Sequence, residues 1–376
     1  MIPFNIPPFT GNEMKYIREA VDNQKICGDG PFTKRCSAWM EEHTGTSRAL
    51  LTTSCTHANE LAVLLLDLQP GDEVIMPSFT FVSSADAYVL RGAVPVFVDI
   101  RPDTMNIDEN LIEDAITERT KAIEVVHYAG VGCNMDKIMK IADKYHLYVI
   151  EDAAQAVNAY YKGKALGTFG DFGCYSFHET KNYSMGEGGA LLIRDPGYID
   201  AAEIIREKGT NRSQYYRGQV DKYTWMNYGS SYLPSDMNAA YLWAQLELAE
   251  EINAKRISVW NYYQEALREL VDRGLIEVPY VPKECTHNAH MFYVKTKDLQ
   301  ERTDFIAFMD QKGIMTPFHY VPLHTAPAGR KYARFHGEDR YTTSESDRLV
   351  RLPLFYAITE EQMEYVVRMT KEFYRV

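Results

Sequence analysis

The chain predicts an α/β fold with a mainly parallel central sheet flanked by helices and a smaller C-terminal α/β domain. Three observations predict it. Short, almost wholly apolar runs recur between residues 47 and 195, the pattern of strands buried on both faces. Helix-length segments separate these runs, long enough for right-handed crossovers between parallel neighbours. The length of 376 residues suits one large domain and a second, smaller one, placed here at 1–250 and 251–376.

Each element follows from its own pattern. Ala58 to Leu66 reads as a helix opened by Thr52-Thr53-Ser54-Cys55-Thr56. Glu73-Val74-Ile75-Met76 is a strand, Ser83 to Leu90 a helix, Val94 to Ile100 a strand and Ile107 to Ile116 a helix. Ala122 to Tyr128 is a strand. Met135 to Tyr145 has apolar residues at helical spacing, and Leu147 to Ile150 is the next strand. Lys208 to Tyr232 is polar, aromatic-rich and without a period. Ser235 to Ala254 reads as one long helix with Met237, Ala240, Leu242, Leu246 and Leu248 as its apolar positions. Residues 255–376 carry the helices and strands of the smaller domain.

Composition removes several classes. A net charge of −12 argues against nucleic acid as the main partner, because phosphate-backbone binders carry a basic face. The longest apolar runs are strand-sized, so no membrane span is expected. The opening Met1-Ile2-Pro3-Phe4-Asn5 lacks a basic and an apolar leader region, which makes the cytoplasm the expected compartment. Six cysteines without paired or metal-type spacing read as reduced structural thiols, and no metal site is expected. Neither a Walker loop nor a G-x-G-x-x-G turn occurs.

In sheets of this type ligands bind beyond the carboxyl ends of the strands. Asp152, Lys181, Phe79 to Phe81 and His127 all fall there. A strand-end lysine alone is usually a solvated loop charge, and a strand-end aspartate is usually a turn or cap residue. Together they are what pyridoxal-phosphate chemistry needs. The lysine amine condenses with the cofactor aldehyde, and the aspartate keeps the pyridine nitrogen protonated. Ser54, Cys55 and Thr56 at a helix start offer amides and hydroxyls to a phosphate, although an ordinary hydroxyl cap looks the same in sequence. Ser176 could add a further hydroxyl. Phe81 is placed to stack on a flat ring, and an aromatic in such a strand is otherwise core.

Thr53-Ser54-Cys55-Thr56, Met76-Pro77-Ser78-Phe79-Thr80-Phe81-Val82, Glu151-Asp152-Ala153-Ala154-Gln155 and Ser176-Phe177-His178-Glu179-Thr180-Lys181-Asn182 together resemble the DegT/DnrJ/EryC1/StrS sugar aminotransferases. The resemblance runs from Gly28-Asp29-Gly30 to His319-Tyr320-Val321-Pro322-Leu323-His324. It implies a fold-type I pyridoxal-phosphate aminotransferase that works as a homodimer with shared active sites. The substrates it implies are L-glutamate and a nucleotide-linked keto sugar. Lys181 then takes the cofactor, Asp152 its ring nitrogen, Gln155 its ring hydroxyl and Phe81 its face. Ser54, Cys55, Thr56 and Ser176 take the phosphate. Ser231, in Gly229-Ser230-Ser231, matches a position that reaches the partner subunit's phosphate.

Asn182, Arg212, Tyr215, His319 and Tyr320 are the substrate candidates. Arg206, Lys208, Arg212, Arg217 and Lys222 outnumber Glu207 and Asp221 by three charges, which suits either a diphosphate or a solvated helix end. Three alternatives stand beside this reading. They are a sister aminotransferase giving a gluco epimer or a 3-amino sugar, a dehydratase with histidine in place of the lysine, and a non-catalytic protein on the same fold. Lys181 itself speaks against the second. The complete set of Lys181, Asp152, Gln155 and the Ser54–Thr56 loop speaks against the third.

Overall fold

The apolar runs become strands in order, in a computed structural model that describes all residues from Met1 to Val376. They are β1 (Arg48–Thr52), β2 (Glu73–Pro77), β3 (Val94–Val98), β4 (Thr120–Val126), β5 (Tyr148–Asp152), the short hairpin β6 (Tyr160–Tyr161) and β7 (Lys164–Ala165), β8 (Phe172–Ser176) and β9 (Gly189–Ile193). β10 (Cys285–Thr286), β11 (Phe292–Lys295), β12 (Arg334–Phe335) and β13 (Leu349–Leu352) follow. Eight of them form one sheet in the order β1-β9-β8-β5-β4-β2-β3-β12. Only β9 runs against its neighbours β1 and β8, and every other pairing is parallel. The exception has a local cause. Residues 177–188, which join β8 to β9, contain no crossover helix, so the chain returns antiparallel. That return lays Lys181 across the carboxyl end of the sheet.

Ten helices precede the smaller sheet: α1 (Glu13–Asp22), α2 (Pro31–Thr44), α3 (Cys55–Leu65), α4 (Val82–Val89), α5 (Met135–Tyr145), α6 (Ile199–Arg206), α7 (Arg212–Tyr216), α8 (Asp236–Leu246), α9 (Ala249–Ala266) and α10 (Arg268–Asp272). Successive strand residues feed opposite faces. Leu51, Ile75, Ile123 and Leu192 join α2, α5 and α8 in one core, while Leu50, Val74, Ala122 and Leu191 join α3, α4 and α6 in another. A third core gathers Val259, Tyr263, Phe292, Val294, Phe305, Val350 and Val366 around β11 and β13. Helix α9 links the first to the third, burying Ala249 and Ile252 in one and Val259 and Tyr263 in the other. No helix is long and apolar enough to cross a membrane.

Two helix expectations need correction. Residues 107–116 form turns with a single 3-10 segment, Glu113–Ala115, instead of a helix. Asp108 accepts hydrogen bonds from both the main-chain and side-chain amides of Asn110, a local alternative to helix. Ile107 and Ile112 are buried all the same. The long helix 235–254 breaks at Leu248, whose φ of −113° and ψ of 21° are non-helical. The break lets Leu246 before it and Ala249 after it face the same core. The earlier helix begins at Cys55, three residues before the expected Ala58, because Ser54 caps it.

Candidate active site

At the start of α3 Ser54 is extended, and its hydroxyl oxygen accepts from the His57 N–H at 3.0 Å. That leaves the first N–H groups, of Cys55 and Thr56, with no helical acceptor and the positive end of the helix dipole facing outward. A β-carbon added to Gly189 would lie 2.4 Å from the Cys55 nitrogen, so only glycine lets β9 run against this turn. Thr56 and Ser83 share a hydroxyl contact of 2.8 Å. The cavity beyond holds about 650 Å³. Ser54, Cys55, Thr56, Phe81, Asp152, Gln155, Ser176 and Lys181 all line it. An anion cradle, an exposed ring face at Phe81, a buried carboxylate and a lysine amine in one such space fit pyridoxal phosphate.

Asp152 ends β5 and is 7% exposed. Ser84 on α4 donates to its Oδ2 at 2.6 Å, Thr80 donates to Ser84 at 2.9 Å, and the Ala154 N–H donates to Oδ1 at 3.1 Å. The carboxylate is therefore aimed before any ligand arrives. Behind it Glu124 is fully buried, and burial together with the Asp152 charge holds its carboxyl neutral, well above the usual carboxylate range. Burial also lowers the Lys181 ammonium from its ordinary value. The Arg351 charge adds to that, while the Cys55 thiol and Asp152 act the other way. The Cys55 thiol is pushed well up by burial, which outweighs its place at a helix N-terminus.

Gln155 is occupied at both ends. Its Oε1 accepts from the Ala129 N–H at 2.6 Å, and its Nε2 donates to the Tyr320 hydroxyl at 3.1 Å. Tyr320 lies 6.3 Å from Phe81, ring centre to ring centre, and closes the cavity from the side of the small sheet. His319 lines it too, accepting from or donating to the Tyr128 hydroxyl at 3.1 Å. Burial keeps His319 and His290 neutral, well below the usual histidine range.

Four of the substrate and phosphate candidates lie elsewhere. Asn182 is 3% exposed and does not line the cavity. Its amide donates to the Asn288 carbonyl and its oxygen meets His290 Nδ1, both at 2.9 Å. It is a tie between the Lys181 loop and the segment before β11. Arg212 lines a second cavity, of about 950 Å³, between α2 and α6. Tyr215 and Ser231 are exposed and line neither cavity. The basic excess there is answered internally: Arg206 pairs with Asp29 at 2.7 Å, Arg217 with Glu203 at 2.7 Å and Arg212 with Glu207 at 3.1 Å. His127 is also out of reach, buried against Glu151 at 2.9 Å. Sequence reasoning missed Ser84 and Arg351. The signals were a hydroxyl pair, Ser83-Ser84, one turn into the helix after Phe81, and a lone charge inside Leu349-Val350-Arg351-Leu352.

A crossover sheet with a lysine and an aspartate converging on an anion cradle defines a fold-type I pyridoxal-phosphate enzyme. Residues 8–371 match the DegT/DnrJ/EryC1/StrS aminotransferase family, and the chain belongs to it. It is 31% identical to GDP-perosamine synthase of Escherichia coli O157:H7 over 99% of this chain and 98% of that one. Its fold is similar to the aminotransferase TlmJ of Streptoalloteichus hindustanus, with a TM-score of 0.91, 28% identity and coverage of 100% and 99% of the two chains. It also matches Spr1654 of Streptococcus pneumoniae, a structure solved in its PLP form, with a TM-score of 0.88, 25% identity and coverage of 100% and 98%. The chain is a sugar aminotransferase, and pyridoxal phosphate is its cofactor.

Proposed function

We propose that the chain moves the amino group of L-glutamate to the fourth carbon of dTDP-4-keto-6-deoxy-D-glucose, giving dTDP-4-amino-4,6-dideoxy-D-galactose and 2-oxoglutarate. The observation that carries the transfer is the meeting of Lys181 and Asp152 in one cavity beside the free amides of α3. The sugar is supported by the run from Lys208-Gly209-Thr210-Asn211-Arg212-Ser213 to Lys222-Tyr223-Thr224-Trp225, with His178-Glu179-Thr180-Lys181-Asn182-Tyr183. Both stretches resemble dTDP-4-amino-4,6-dideoxygalactose transaminase, which supplies the amino sugar of enterobacterial common antigen.

When bound, pyridoxal phosphate supplies an electron sink and carries the nitrogen between the two substrates. The cradle residues Ser54, Cys55, Thr56 and Ser176 hold its phosphate, Phe81 covers its face and Gln155 meets its ring hydroxyl. Asp152, oriented by Ser84, keeps the ring nitrogen protonated. Lys181 Nζ removes the proton from the α carbon of glutamate and delivers a proton to the sugar carbon that receives nitrogen. A lowered amine pKa leaves more of it in the basic form that this needs. Tyr320 and Phe4 roof the cavity and keep bulk water from the reacting atoms.

The enzyme works in the cytoplasm as a homodimer. The exposed segment with Tyr215, Tyr216, Tyr223, Trp225 and Ser231 reaches the partner's cavity, and Arg212 and its neighbours meet the sugar diphosphate there. Incubating the protein with glutamate and dTDP-4-keto-6-deoxyglucose tests the reading. An axial amine at the fourth carbon is the expected product. An equatorial amine or a 3-amino product means a sister reaction, and turnover only with the GDP-linked sugar moves the assignment to the substrate class in the name of the 31%-identical relative.

A further inference from the structure

Glu124 is fully buried on β4, and neither of its carboxyl oxygens has a hydrogen-bond partner in the chain. Every other buried carboxylate accepts at least one hydrogen bond. Glu151, on the neighbouring strand and facing the opposite side of the sheet, takes the N–H groups of Gly167, Phe169 and Gly170. Packing alone is served by a leucine or valine at 124, because Ala122 and Ile150 beside it belong to the apolar core with α3 and α4. A buried carboxyl without donors costs free energy that an aliphatic side chain does not.

The register places that carboxyl beneath the cofactor cavity. Val126 pairs with Asp152 and Glu124 with Ile150, so Glu124 shares a face with Asp152, one strand across and one step deeper. Helix α4 repeats the step with Ser84 and Tyr88, four residues apart on one face. Ser84 donates to Asp152 at 2.6 Å, and the Tyr88 hydroxyl faces Glu124 without reaching hydrogen-bond geometry. Two carboxyls so placed, away from water, hold one charge between them. Asp152 receives donors from Ser84 and Ala154 and Glu124 receives none, so the charge belongs to Asp152 and the proton to Glu124. Burial and the Asp152 charge push the Glu124 carboxyl well above the usual carboxylate range, with Tyr88 acting the other way. A carboxyl in that form has an O–H to donate.

We propose that Glu124 is a positioning residue for the transamination: it carries the one proton of a carboxyl pair, turns its O–H towards Asp152, directly or through one internal water, and so keeps that carboxylate charged for the ring nitrogen of pyridoxal phosphate. The assignment rests on the placement of Asp152 at the ring nitrogen given above and adds what holds the charge there. Glu124 itself touches neither cofactor nor substrate. In the low-dielectric floor of the cavity, a donor turned to Asp152 counts for more than it does in water.

The test compares pyridoxal phosphate with its deaza analogue, which has C–H in place of the ring nitrogen and makes no demand on Asp152. Dissociation constants of both are measured by fluorescence on cofactor-free wild type, Glu124→Leu, Glu124→Gln and Asp152→Asn, with melting temperature establishing that each is folded. Glu124→Met stands in if the leucine variant does not fold. Glu124→Leu should bind pyridoxal phosphate about tenfold more weakly, the worth of one hydrogen bond to a charged group, and bind the analogue as wild type does. Glu124→Gln keeps a donor and should recover most of the loss. The infrared difference between wild type and Glu124→Gln should show a carboxylic-acid band at neutral pH. Equal weakening of both compounds in Glu124→Leu means a role in folding alone and overturns the inference. So does unchanged affinity for pyridoxal phosphate, or a carboxylate band in place of the acid band. If Asp152→Asn loses the preference for pyridoxal phosphate but Glu124→Leu keeps it, the role of Glu124 alone fails. If Asp152→Asn keeps that preference, the placement of Asp152 is itself wrong.

Discussion

The cradle around Lys181 and the segment from Lys208 to Tyr232 differ in how each is held. In the cradle, functional groups are buried and bonded to one another: Thr80 to Ser84, Ser84 to Asp152, Gln155 to Ala129 and Tyr320. In the segment, Tyr215, Tyr216, Tyr223, Trp225 and Tyr228 are exposed, and Arg212 and Arg217 pair with carboxylates of the same chain. One is finished within a single chain, whereas the other presents a surface. The chemistry shared by the family sits in the finished part. The function proposed above assigns what distinguishes one sugar from another to the exposed part, which a second subunit and the ligand would complete.

That contrast can be broken or sharpened experimentally, beginning with the largest effect. Lys181→Ala removes both the attachment point and the proton carrier, and turnover should fall by about 10⁴-fold or more. The protein should still take up pyridoxal phosphate through the α3 amides, seen as absorbance that reduction cannot fix to the chain. Asp152→Asn keeps the shape but loses the charge-assisted bond to the ring nitrogen, at about 3 kcal/mol, so the rate should drop about 100-fold. Single-turnover bleaching by glutamate reads this directly.

Asn182→Ala probes a tie between the Lys181 loop and the small sheet. Leaving the Asn288 carbonyl and His290 unpaired should destabilise the fold by about 1–3 kcal/mol in a denaturant titration. Acid should act through the same region. His290 and His319 stay neutral when folded but take protons near pH 6.5 when unfolded, so the unfolded chain binds more protons below that pH. Stability therefore falls as pH drops through 6.5 and below, and His319→Gln should flatten the melting-temperature profile. The smallest effect belongs to the segment: Arg212→Ala breaks one half-exposed pair and should cost less than about 1 kcal/mol of stability. Its KM for the nucleotide sugar should nonetheless rise with little change in kcat. A large loss of stability would mean that the segment is as closely wired as the cradle.

Legibility followed the same division. Period and apolarity located the strands, and hence Asp152 at the end of β5 and Lys181 beyond the end of β8, because burial on both sides of a sheet is written locally. The Ser54 cap was legible for the same reason. The expected helix at 107–116 failed because Asp108 and Asn110 hold a turn against a helix-like apolar spacing. Asn182 could not be sorted from sequence, since its neighbour Lys181 faces the cavity while its own amide faces His290. Adjacent residues in a loop point in directions that no period encodes.

By itself, then, the order of residues determined the fold class, the cofactor chemistry and the two residues at its centre. Each of these depends on strand-length patterns and on residue types next to strand ends. Only the tertiary structure decided which polar side chains reach the cavity and which are spent elsewhere. It joined Ser84 to Asp152, drew His127 away to Glu151 and left Arg351 without a counter-ion beside Lys181. Those outcomes depend on partners distant in the chain, and a buried polar group takes its role from whichever of them it meets.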